Sequence, residues 1–593
     1  MGIMSHLFIS RFRLGLVTVG VVAGFGIIIW RLFFLHVHDQ ERLQQIVSNN
    51  RSRSEVTYSR RGNIVDVKGN LLAATRSTIE VGVDPQSFDE DDVLKLKDVA
   101  ALLDMPLAVL RQSCTQKYYP GTKRAVRWKK LAEAVDEGVY ERIKALKIKG
   151  IYGNRKFERV YPGEELAAHV LGFVNKEGTA VMGVERYMDF YLSGQNGWRE
   201  SERDGRRREM AQFRHREVEP TDGLNVELTL DQMVQHIIEE ELERLMEEYA
   251  PMAATIIVSE PATGAILGLA NVPSFDPNIF WKFPLAAHRN RAVTDLFEPG
   301  STFKVVPASA ALNEGLVEPD DTFDANVESL HYRGRRVSLP RDHHEFGVLS
   351  VREIVVQSSN RGAAYLGMLL GADRLYDYAK QFGFGEPAGY HANAEAAGTL
   401  HLVKNWDGLT ITRLPMGHAV SATPLQVHYA LSVIANRGVL MHPQLIRRVF
   451  DAEGNTVVTF KPQPRRRVVS TRTAETMTGF LCEVVGGPQG TAPQAHIPGF
   501  TIAGKTGTSQ KIVEGRYSHG KHIASFAGFF PASRPDLLIS VVVDDPECEG
   551  VGYGGRVAAP IFRRVAERLI QYKGIHPSNE SLVWEGGDFD WLR

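Results

Sequence analysis

Residues 501–511 read TIAGKTGTSQK and begin a run of β-like segments that ends in a helical pattern. The run continues with ASFAGFF at 524–530 and LLISVVVDD at 537–545, and the helical pattern follows in APIFRRVAERLIQY at 559–572. Apolar β-branched and aromatic residues dominate these segments, as is typical of strands in a buried sheet. The end of the chain therefore predicts an antiparallel sheet followed by a closing helix.

A strand-and-helix pattern also lies upstream, in NVELTLDQMVQHIIEEELERLMEEY at 225–249. Here a short strand leads into a long amphipathic helix with Asp231 as its N-cap. The β-like segment ATIIVSEPATGAILGLA at 254–270 and a helix-rich middle follow it. Helices and an antiparallel sheet in separate blocks indicate an α+β fold. We place this C-terminal domain at residues 226–575 and treat 576–593 as a tail.

The N-terminus carries one long apolar segment. It reads LGLVTVGVVAGFGIIIW from Leu14 to Trp30, and its apolar character resumes after Arg31, which gives the length of a membrane span. We predict a single transmembrane helix at 14–37, after a short tail at 1–13, which the chemistry described below places in the cytoplasm. A cleaved signal peptide is the alternative, but the apolar run is longer than usual for one, and no small-x-small cleavage site follows.

Residues 38–225 predict a second domain with mostly β structure, which the family resemblance given below implies to be non-catalytic. Its short β-like runs are broken by glycine and charged clusters, and VKGN at 67–70 predicts a turn between strands. Two stretches, at 92–114 and 129–147, instead have apolar residues at helical spacing. We expect an extended β module whose part between 92 and 147 is helical.

Length and composition exclude several classes of protein. At 593 residues the chain is too long for one hydrophobic core, and 43% hydrophobic with 23% charged residues is an ordinary globular composition. A formal net charge of −1 gives no indication of nucleic-acid binding. Because Cys114, Cys482 and Cys548 lack the spacing of zinc or redox sites, we expect no metal and no cofactor. Whether two of them pair stays open.

The first motif with chemical meaning is PGSTFK at 299–304. Ser301 and Lys304 are three residues apart, so on a helix they share a face and the amine can reach the hydroxyl. A serine hydroxyl needs a base to become a nucleophile, and a buried lysine with a lowered pKa can be that base. Alone the pattern is weak, because a capped surface helix explains it as well.

Two further motifs follow in order. Ser358-Ser359-Asn360 lies in VVQSSNRG, and Lys505-Thr506-Gly507-Thr508 lies on the predicted strand at 501–511. Singly, the first is typical of a polar loop and the second of a turn. Together SxxK, SxN and KTG form the motif set of penicillin-binding proteins and related β-lactamases. Gly507 would leave room for a substrate backbone beside the strand.

The chain resembles the class B penicillin-binding proteins, and within them the cell-division branch, well beyond these motifs. The segment around the family's nucleophile is similar to RNRAVTDLFEPGSTFK at 289–304. Other segments of the family's catalytic domain are similar to TPLQ, GTA, ASFAGFFP and GGRVAAPIF. RRGNIVDVKGNLLA, RVYPGEELAAHVLGF and GVERYMDFYLSG resemble the family's pedestal domain. Among the departures, His418 and Ala419 replace an aromatic residue and a glycine, and Pro307 should bend the helix after Lys304.

The resemblance implies a serine-type D-Ala-D-Ala transpeptidase that cross-links peptidoglycan stem peptides and is acylated by β-lactams. Ser301 would be the nucleophile and Lys304 its general base. The Ser358 hydroxyl and the Lys505 ammonium would form a relay toward the leaving amine, and Asn360 would orient Lys304. These five residues are the catalytic set that the resemblance predicts.

Substrate recognition falls to the rest of the third motif. Thr506, Gly507 and Thr508 would bind the substrate, with the threonines and Lys505 on its terminal carboxylate, and the N–H groups of Ser301 and Thr508 would form an oxyanion hole. The resemblance also implies an inner-membrane location with the catalytic domain outside. A multispan septal glycosyltransferase is the expected partner, contacted through the helix at 14–37, where Gly20, Ala23, Gly24 and Gly26 permit close helix approach.

Other functions share parts of this pattern. A β-lactamase or a D,D-carboxypeptidase has the same motifs, but neither needs a long pedestal and a permanent anchor. An elongation-type transpeptidase shares every catalytic residue, and only the sequence before the nucleophile, Glu298-Pro299-Gly300, favours the division branch. A non-catalytic penicillin sensor or scaffold would be expected to have a damaged motif or several spans.

Overall fold

The computed structural model describes residues 11–43, 52–203, 209–513 and 515–577. The predicted tails at 1–13 and 576–593 therefore lie largely outside the described residues. Two compact units divide the chain, one from Met1–Arg60 with Gly194–Asp222 and the other from Arg61–Ser193 with Gly223–Arg593. Helices and sheets occur in both, and the fold class is α+β as predicted.

The first unit contains the apolar helix. It runs from Arg11 to Phe33 as an α-helix and continues as a π-helical turn, Phe34–His38. Among the described residues this is the one helix long and apolar enough to cross a membrane, which is compatible with a single-pass anchor. The same unit holds an antiparallel three-stranded sheet of Ser52–Thr57, Gly197–Arg203 and Glu209–Val218.

The second unit contains a seven-stranded sheet to which both predicted domains contribute. Asn225–Leu228 pairs in parallel with Ile64–Val65 and antiparallel with Ile446–Phe450, so one sheet runs through the predicted boundary at residue 225. The predicted turn at VKGN joins Ile64–Val65 to the long strand Leu71–Val83. The remaining strands are Thr456–Thr459, Lys129–Val135 and Ile151–Val160.

Residues 84–150 form a head with a small apolar core of its own, centred on Leu96, Val99 and Leu110. Its helices are Leu96–Leu102, Leu107–Thr115 and Glu137–Ala145. The helical prediction for 129–147 is wrong in its first half, because Lys129–Val135 is a strand that pairs with Leu71–Val83. The helix begins only after Asp136, whose side chain accepts a hydrogen bond from the Gly138 N–H.

A five-stranded antiparallel sheet forms the centre of the C-terminal part. Its strand order is Ala265–Val272, Ala253–Glu260, Leu537–Asp544, Arg516–Phe530 and Ala503–Val513, so the strand that carries KTG lies at the edge. One face packs on the helices Gln232–Tyr249 and Gly554–Lys573 through a core that includes Phe526 and Phe562. Asp231 caps the first of these helices, as predicted, by accepting from the Met233 N–H at 3.1 Å.

A lobe of helices covers the opposite face of that sheet and builds the larger apolar core. Capping boxes begin two of the helices, at Ser350 with Glu353 and at Thr423 with Gln426. The helices of the lobe are Val305–Asn313, Val351–Val356, Asn360–Leu370, Ala372–Gln381, Thr410–Arg413, Pro424–Ala435 and Thr471–Gly486. Short two-stranded pairs join Thr322–Asp324 to Val348–Ser350, Ser329–Tyr332 to Arg335–Ser338, Thr399–Leu400 to Val420–Ser421 and Val439–Met441 to Pro464–Arg467.

Candidate active site

Ser301 lies on a single 3₁₀ turn, Gly300–Lys304, that runs directly into the helix Val305–Asn313. Gly300 has a φ of +54°, and a Cβ there would lie 2.8 Å from the Thr508 carbonyl oxygen. Only glycine allows that backbone angle and that close approach without strain. The predicted helix start is confirmed, and Pro307 falls in the first helical turn, where a missing N–H costs little.

The Lys304 side chain is almost wholly buried, with 1% of it exposed. Its Nζ donates to Asn360 Oδ1 at 2.7 Å, to Ser358 Oγ at 3.2 Å and to the Ser358 carbonyl oxygen. Burial lowers the pKa of Lys304 well below its usual range, and the neighbouring Lys505 lowers it further, while Asp342 acts in the opposite direction. The amine therefore favours its neutral form, which is the form a general base needs.

The second motif forms a tight corner between two helices. Ser358 has a φ of +62° after the helix Val351–Val356, and Ser359 caps the next helix by accepting from the Gly362 N–H at 3.0 Å. This corner turns Ser358 and Asn360 toward Lys304. Left-handed backbone is uncommon for serine, and here it is held by contacts on both sides.

Lys304 Nζ contacts Ser358 itself, and the residues after Ser358 are held by a residue that sequence reasoning missed, Asp342. Its carboxylate accepts from Ser359 Oγ at 2.9 Å, from the Arg361 N–H at 3.3 Å and from the Asn360 N–H. The neighbouring Arg341 carbonyl accepts from Asn360 Nδ2 at 2.9 Å. Nothing local in the sequence RDHHEFG identifies this role, because its partners follow 17 to 19 positions later.

Lys505 lies on the edge strand, opposite Ala527 of the neighbouring strand, and is completely buried. Its Nζ has no hydrogen-bond partner among the described residues. It borders a cavity of about 10 Å³ that is otherwise lined by Thr302 and apolar side chains such as Val305 and Phe384. Burial lowers the pKa of Lys505 to about 7, so its charge changes near neutral pH.

The remaining KTG positions bring the edge strand against the nucleophile turn. A Cβ on Gly507 would lie 2.3 Å from Ser525 Oγ, 2.9 Å from Thr302 Cγ2 and 3.0 Å from the Pro299 carbonyl oxygen. The space on the Cβ side of Gly507 is thus filled by the protein itself, so glycine here lets the edge strand pack against the nucleophile turn. Its contact with a substrate backbone along the open edge of the strand stays a prediction. Thr508 Oγ1 accepts from the Gly554 N–H at 3.0 Å, which leaves the threonine proton free to donate.

A polar cluster lies beside the nucleophile turn and includes the two departures from the family pattern. Glu298 accepts from the Ala419 N–H and from Tyr517 Oη, each at 3.1 Å, and lies 3.4 Å from His418 Nδ1. Ala419 has a φ of +59°, so the backbone keeps the glycine-like shape although the residue is alanine. His418 thus packs in this loop beside Glu298 and Tyr517, whose ring centroid lies 6.0 Å from its own.

Comparison with known proteins agrees with this architecture. The family model described as penicillin binding protein transpeptidase domain matches residues 254–567, and that of the penicillin-binding protein dimerisation domain matches 56–228. The chain is also 32% identical over 588 residues to stage V sporulation protein D of Bacillus subtilis, covering 98% of this chain and 88% of that protein. The chain belongs to the class B penicillin-binding proteins.

Two further relatives of this class B penicillin-binding protein cover most of the chain. Peptidoglycan D,D-transpeptidase FtsI of Escherichia coli is 28% identical over 593 residues, covering 98% of this chain and 96% of FtsI. The crystal structure of penicillin binding protein 3 from Mycobacterium tuberculosis, complexed with aztreonam, has a TM-score of 0.67 and 27% identity. It covers 88% of this chain and 98% of that structure.

In this class B penicillin-binding protein the three motifs meet at one place. Hydrogen bonds join Lys304 to Ser358 and Asn360, and Gly300 and Thr302, the neighbours of Ser301, abut Thr508 and Gly507. Thr506, on the same strand as Gly507, hydrogen-bonds at 3.1 Å to Thr491, which lies in the loop after the helix Thr471–Gly486. Within the described ranges no group of His, Cys, Asp and Glu side chains could hold a metal ion, and the three cysteines are free.

Proposed function

We propose that this protein is a peptidoglycan D,D-transpeptidase that cross-links stem peptides through an acyl-enzyme on Ser301, probed and inhibited by β-lactams. The observation that carries the proposal is the buried Lys304 amine, held by Ser358 and Asn360 one helical turn after the serine. The names of the relatives support it, since FtsI of Escherichia coli and PenA of Neisseria meningitidis are described as peptidoglycan D,D-transpeptidases.

In the acylation step, neutral Lys304 accepts the Ser301 proton while Oγ attacks the carbonyl carbon between the two terminal D-alanines. The N–H groups of Ser301 and Thr508 stabilise the oxyanion that forms. The C–N bond then breaks, the proton passes through the Ser358 hydroxyl to the leaving amine, and D-alanine departs. The stem peptide remains as an ester on Ser301.

In the second step an amine from a neighbouring stem peptide attacks the ester. Its surplus proton returns to Lys304, the ester bond breaks, and Ser301 regains a proton as the new amide forms. One peptide bond is lost and one is made, so no external energy source is needed. Lys505, Thr506 and Thr508 would hold the terminal carboxylate of the donor, and that negative charge favours protonation of Lys505, whose pKa is about 7.

Intact-protein mass spectrometry after treatment with benzylpenicillin tests the nucleophile. We expect one adduct on the wild type, none on Ser301→Ala and an unchanged adduct on Ser309→Ala. Ser309 is the matched control because it is a buried serine on the same helix and outside the three motifs. An adduct that persists in Ser301→Ala contradicts the assignment.

We further propose that the enzyme acts in septal wall synthesis. The sequence before the nucleophile, RNRAVTDLF with Glu298-Pro299-Gly300, supports the division branch, as does the similarity to FtsI over nearly the whole chain. Its partner would be a multispan septal glycosyltransferase that contacts the helix at 14–37. Depletion in a rod-shaped host should give long filaments without septa, whereas rounded cells indicate elongation and normal division indicates a dispensable sensor or scaffold.

The orientation follows from the substrate. Because cross-linking takes place outside the inner membrane, we propose that the N-terminal tail is cytoplasmic and that the chain after His38 is extracytoplasmic. A reporter active only outside the cytoplasm, fused after Arg593, should be active. Activity of a cytoplasm-only reporter at the same position contradicts both the orientation and the substrate class.

A further inference from the structure

The head of the second unit carries a strongly cationic stretch that the proposed reaction does not use. From Met105 to Ala132 the sequence contains no aspartate or glutamate. The chain as a whole has a formal charge of −1, so this local excess of positive charge is a distinct feature. The cations of the stretch are Arg111, Lys117, Lys123, Arg124, Arg127, Lys129 and Lys130.

The centre of the stretch is a well-formed hairpin, residues 117–127, which we call the basic hairpin. The Val126 N–H donates to the Lys117 carbonyl at 2.9 Å, and the Tyr119 N–H donates to the Arg124 carbonyl at 3.1 Å. Just after it, the Trp128 ring packs against Tyr152, with ring centroids 4.6 Å apart. These contacts fix the hairpin to the head.

The cations of the basic hairpin are exposed to solvent and are not paired with carboxylates of the described residues. Lys117, Lys123, Arg124 and Arg127 are exposed, and none has a carboxylate within 4.0 Å among the described residues. Elsewhere on the head, lysines pair with nearby acids: Lys95 with Asp92 at 2.7 Å, Lys144 with Glu141 at 3.1 Å and Lys149 with Asp89 at 2.8 Å. Like charges held close together raise the energy of the free protein unless an anion binds them.

Two aromatic rings accompany these cations. Tyr118 and Tyr119 are 55% and 45% exposed, and the Arg124 guanidinium carbon lies 5.5 Å from the Tyr119 ring centroid. An exposed tyrosine offers a flat apolar face and a hydroxyl, which suits stacking on a sugar ring. The basic hairpin therefore combines sites for anions with flat faces for sugars.

We propose that the basic hairpin binds un-cross-linked peptidoglycan strands, a proposal that rests on the proposed function for the nature of the polymer. Lysine and arginine would pair with the free carboxylates of the stem peptides, and Tyr118 and Tyr119 would stack on the glycan. Such a site would hold the polymer on the enzyme that cross-links it and raise the local concentration of stem peptides near Ser301.

The chemistry of the surface favours this polymer over a membrane or a protein partner. Membrane-binding loops place large apolar side chains at their tips, whereas the turn here, closed by the Thr122 N–H on the Tyr119 carbonyl, has Pro120 and Gly121 at its centre. The cores of protein interfaces are depleted in lysine, and the exposed surface here is dominated by lysine and arginine. A polyanion with sugar rings matches both the charges and the tyrosines.

The test uses full-length protein in detergent, with Ser301 first acylated by benzylpenicillin so that the active site is blocked. Fluorescent, soluble, un-cross-linked strands with intact pentapeptide stems are titrated at low and moderate salt. We expect Lys123→Glu/Arg124→Glu and Tyr118→Ala/Tyr119→Ala each to weaken binding about 10-fold, and wild-type binding to fall as salt rises.

The matched control is Lys97→Glu/Arg142→Glu, which makes the same charge change on two helices of the head and should alter binding less than about 2-fold. Each variant should keep the wild-type acylation rate, which verifies that it is folded. If benzylpenicillin gives no adduct at all, the proposed function fails at that step, and the titration without the block still tests the hairpin.

Three other ligands test which chemical groups the basic hairpin recognises. Strands stripped of stem peptides by an amidase should bind more weakly, as should phosphatidylglycerol vesicles and polyglutamate. Equal binding of stripped strands overturns the role of the carboxylates, and tighter binding of vesicles or polyglutamate overturns the choice of polymer. Unchanged binding in both hairpin variants overturns the site itself.

Discussion

Lys304 Nζ donates a 2.7 Å hydrogen bond to Asn360 Oδ1, so the buried amine is held by a neutral amide and not by a carboxylate. A carboxylate at that distance would stabilise the ammonium form and remove the base. The amide positions the amine, while burial and the nearby Lys505 lower the pKa of Lys304. Two predictions follow from this contact and from the residue that supports it.

Asn360→Asp should raise the pKa of Lys304, because the new carboxylate stabilises the ammonium. Acylation by benzylpenicillin at pH 7 should slow about 100-fold or more, and the pH at which the rate rises should move upward. Stopped-flow acylation as a function of pH measures both effects. Asn326→Asp, an exposed change on the same lobe, should leave the profile unaltered. An unmoved profile in Asn360→Asp contradicts Lys304 as the base.

Asp342→Asn should act in the opposite direction on pH. The carboxylate raises the pKa of Lys304, so its loss should move the acylation profile to lower pH. The loosened Ser359 and Asn360 should also slow the acylation step by roughly 10-fold at its optimum, with little change in non-covalent affinity. Asp324→Asn, an exposed acid, is the control. A purely structural role would slow acylation without moving the profile.

Lys505→Met should stabilise the fold while it impairs substrate recognition. The pKa of Lys505 is about 7 when folded and that of an ordinary lysine is 10.5, so the unfolded chain binds a proton between these values that the folded chain does not. Wild-type stability is therefore lost as pH falls from about 10.5 to about 7 and changes no further below that.

The gain in unfolding free energy for Lys505→Met should be roughly 2–5 kcal/mol at pH 7 and smaller at higher pH. Denaturant unfolding at several pH values measures it. The control is Lys521→Met. The Lys521 side chain is 51% exposed and pairs with Asp545, whose side chain is 19% exposed, so this variant should show no such gain. A Lys505→Met protein that is no more stable than the wild type at pH 7, or whose gain over the wild type does not change with pH, contradicts this prediction.

Glu185→Gln should destabilise the pedestal region. Glu185 is fully buried and pairs at 2.6 Å with both Arg61 and Arg159, whose side chains are nearly buried as well. Removing the shared carboxylate leaves the buried Arg159 without its carboxylate partner and Arg61 with Asp189 alone, which costs about 3–5 kcal/mol. The control Glu158→Gln breaks an exposed pair with Arg76 and should cost less than about 1 kcal/mol. Thermal unfolding of both variants provides the measurement.

Local features were predictable from the sequence. The Asp231 cap, the turn at VKGN and the apolar helix each depend on residues a few positions apart. The strand Lys129–Val135, where we predicted a helix, was not predictable from local sequence. It forms because Val135 and Ala132 pair with Ile79 and Val81 of a distant strand. Pairing with a distant strand overrides local helical spacing.

The candidate site likewise has features that were predictable from the sequence and features that were not. That Ser301, Lys304 and the two later motifs meet at one place could be predicted from their order, and their roles in the reaction stay predictions. What holds these residues in place could not be predicted, because Asp342 reaches the second motif only through the fold. The reason for Gly507 was also hidden, since its neighbours Thr302 and Ser525 come from other segments.

Gly300 and Gly507 bear on how such an enzyme can become less sensitive to an inhibitor. The simplest way to exclude a drug from a cleft is to add a side chain to its wall. At these two positions any added atom would meet the protein's own backbone or hydroxyls before it met the drug. Variants that discriminate against β-lactams and keep cross-linking are therefore not expected to carry an added side chain at either of these two positions.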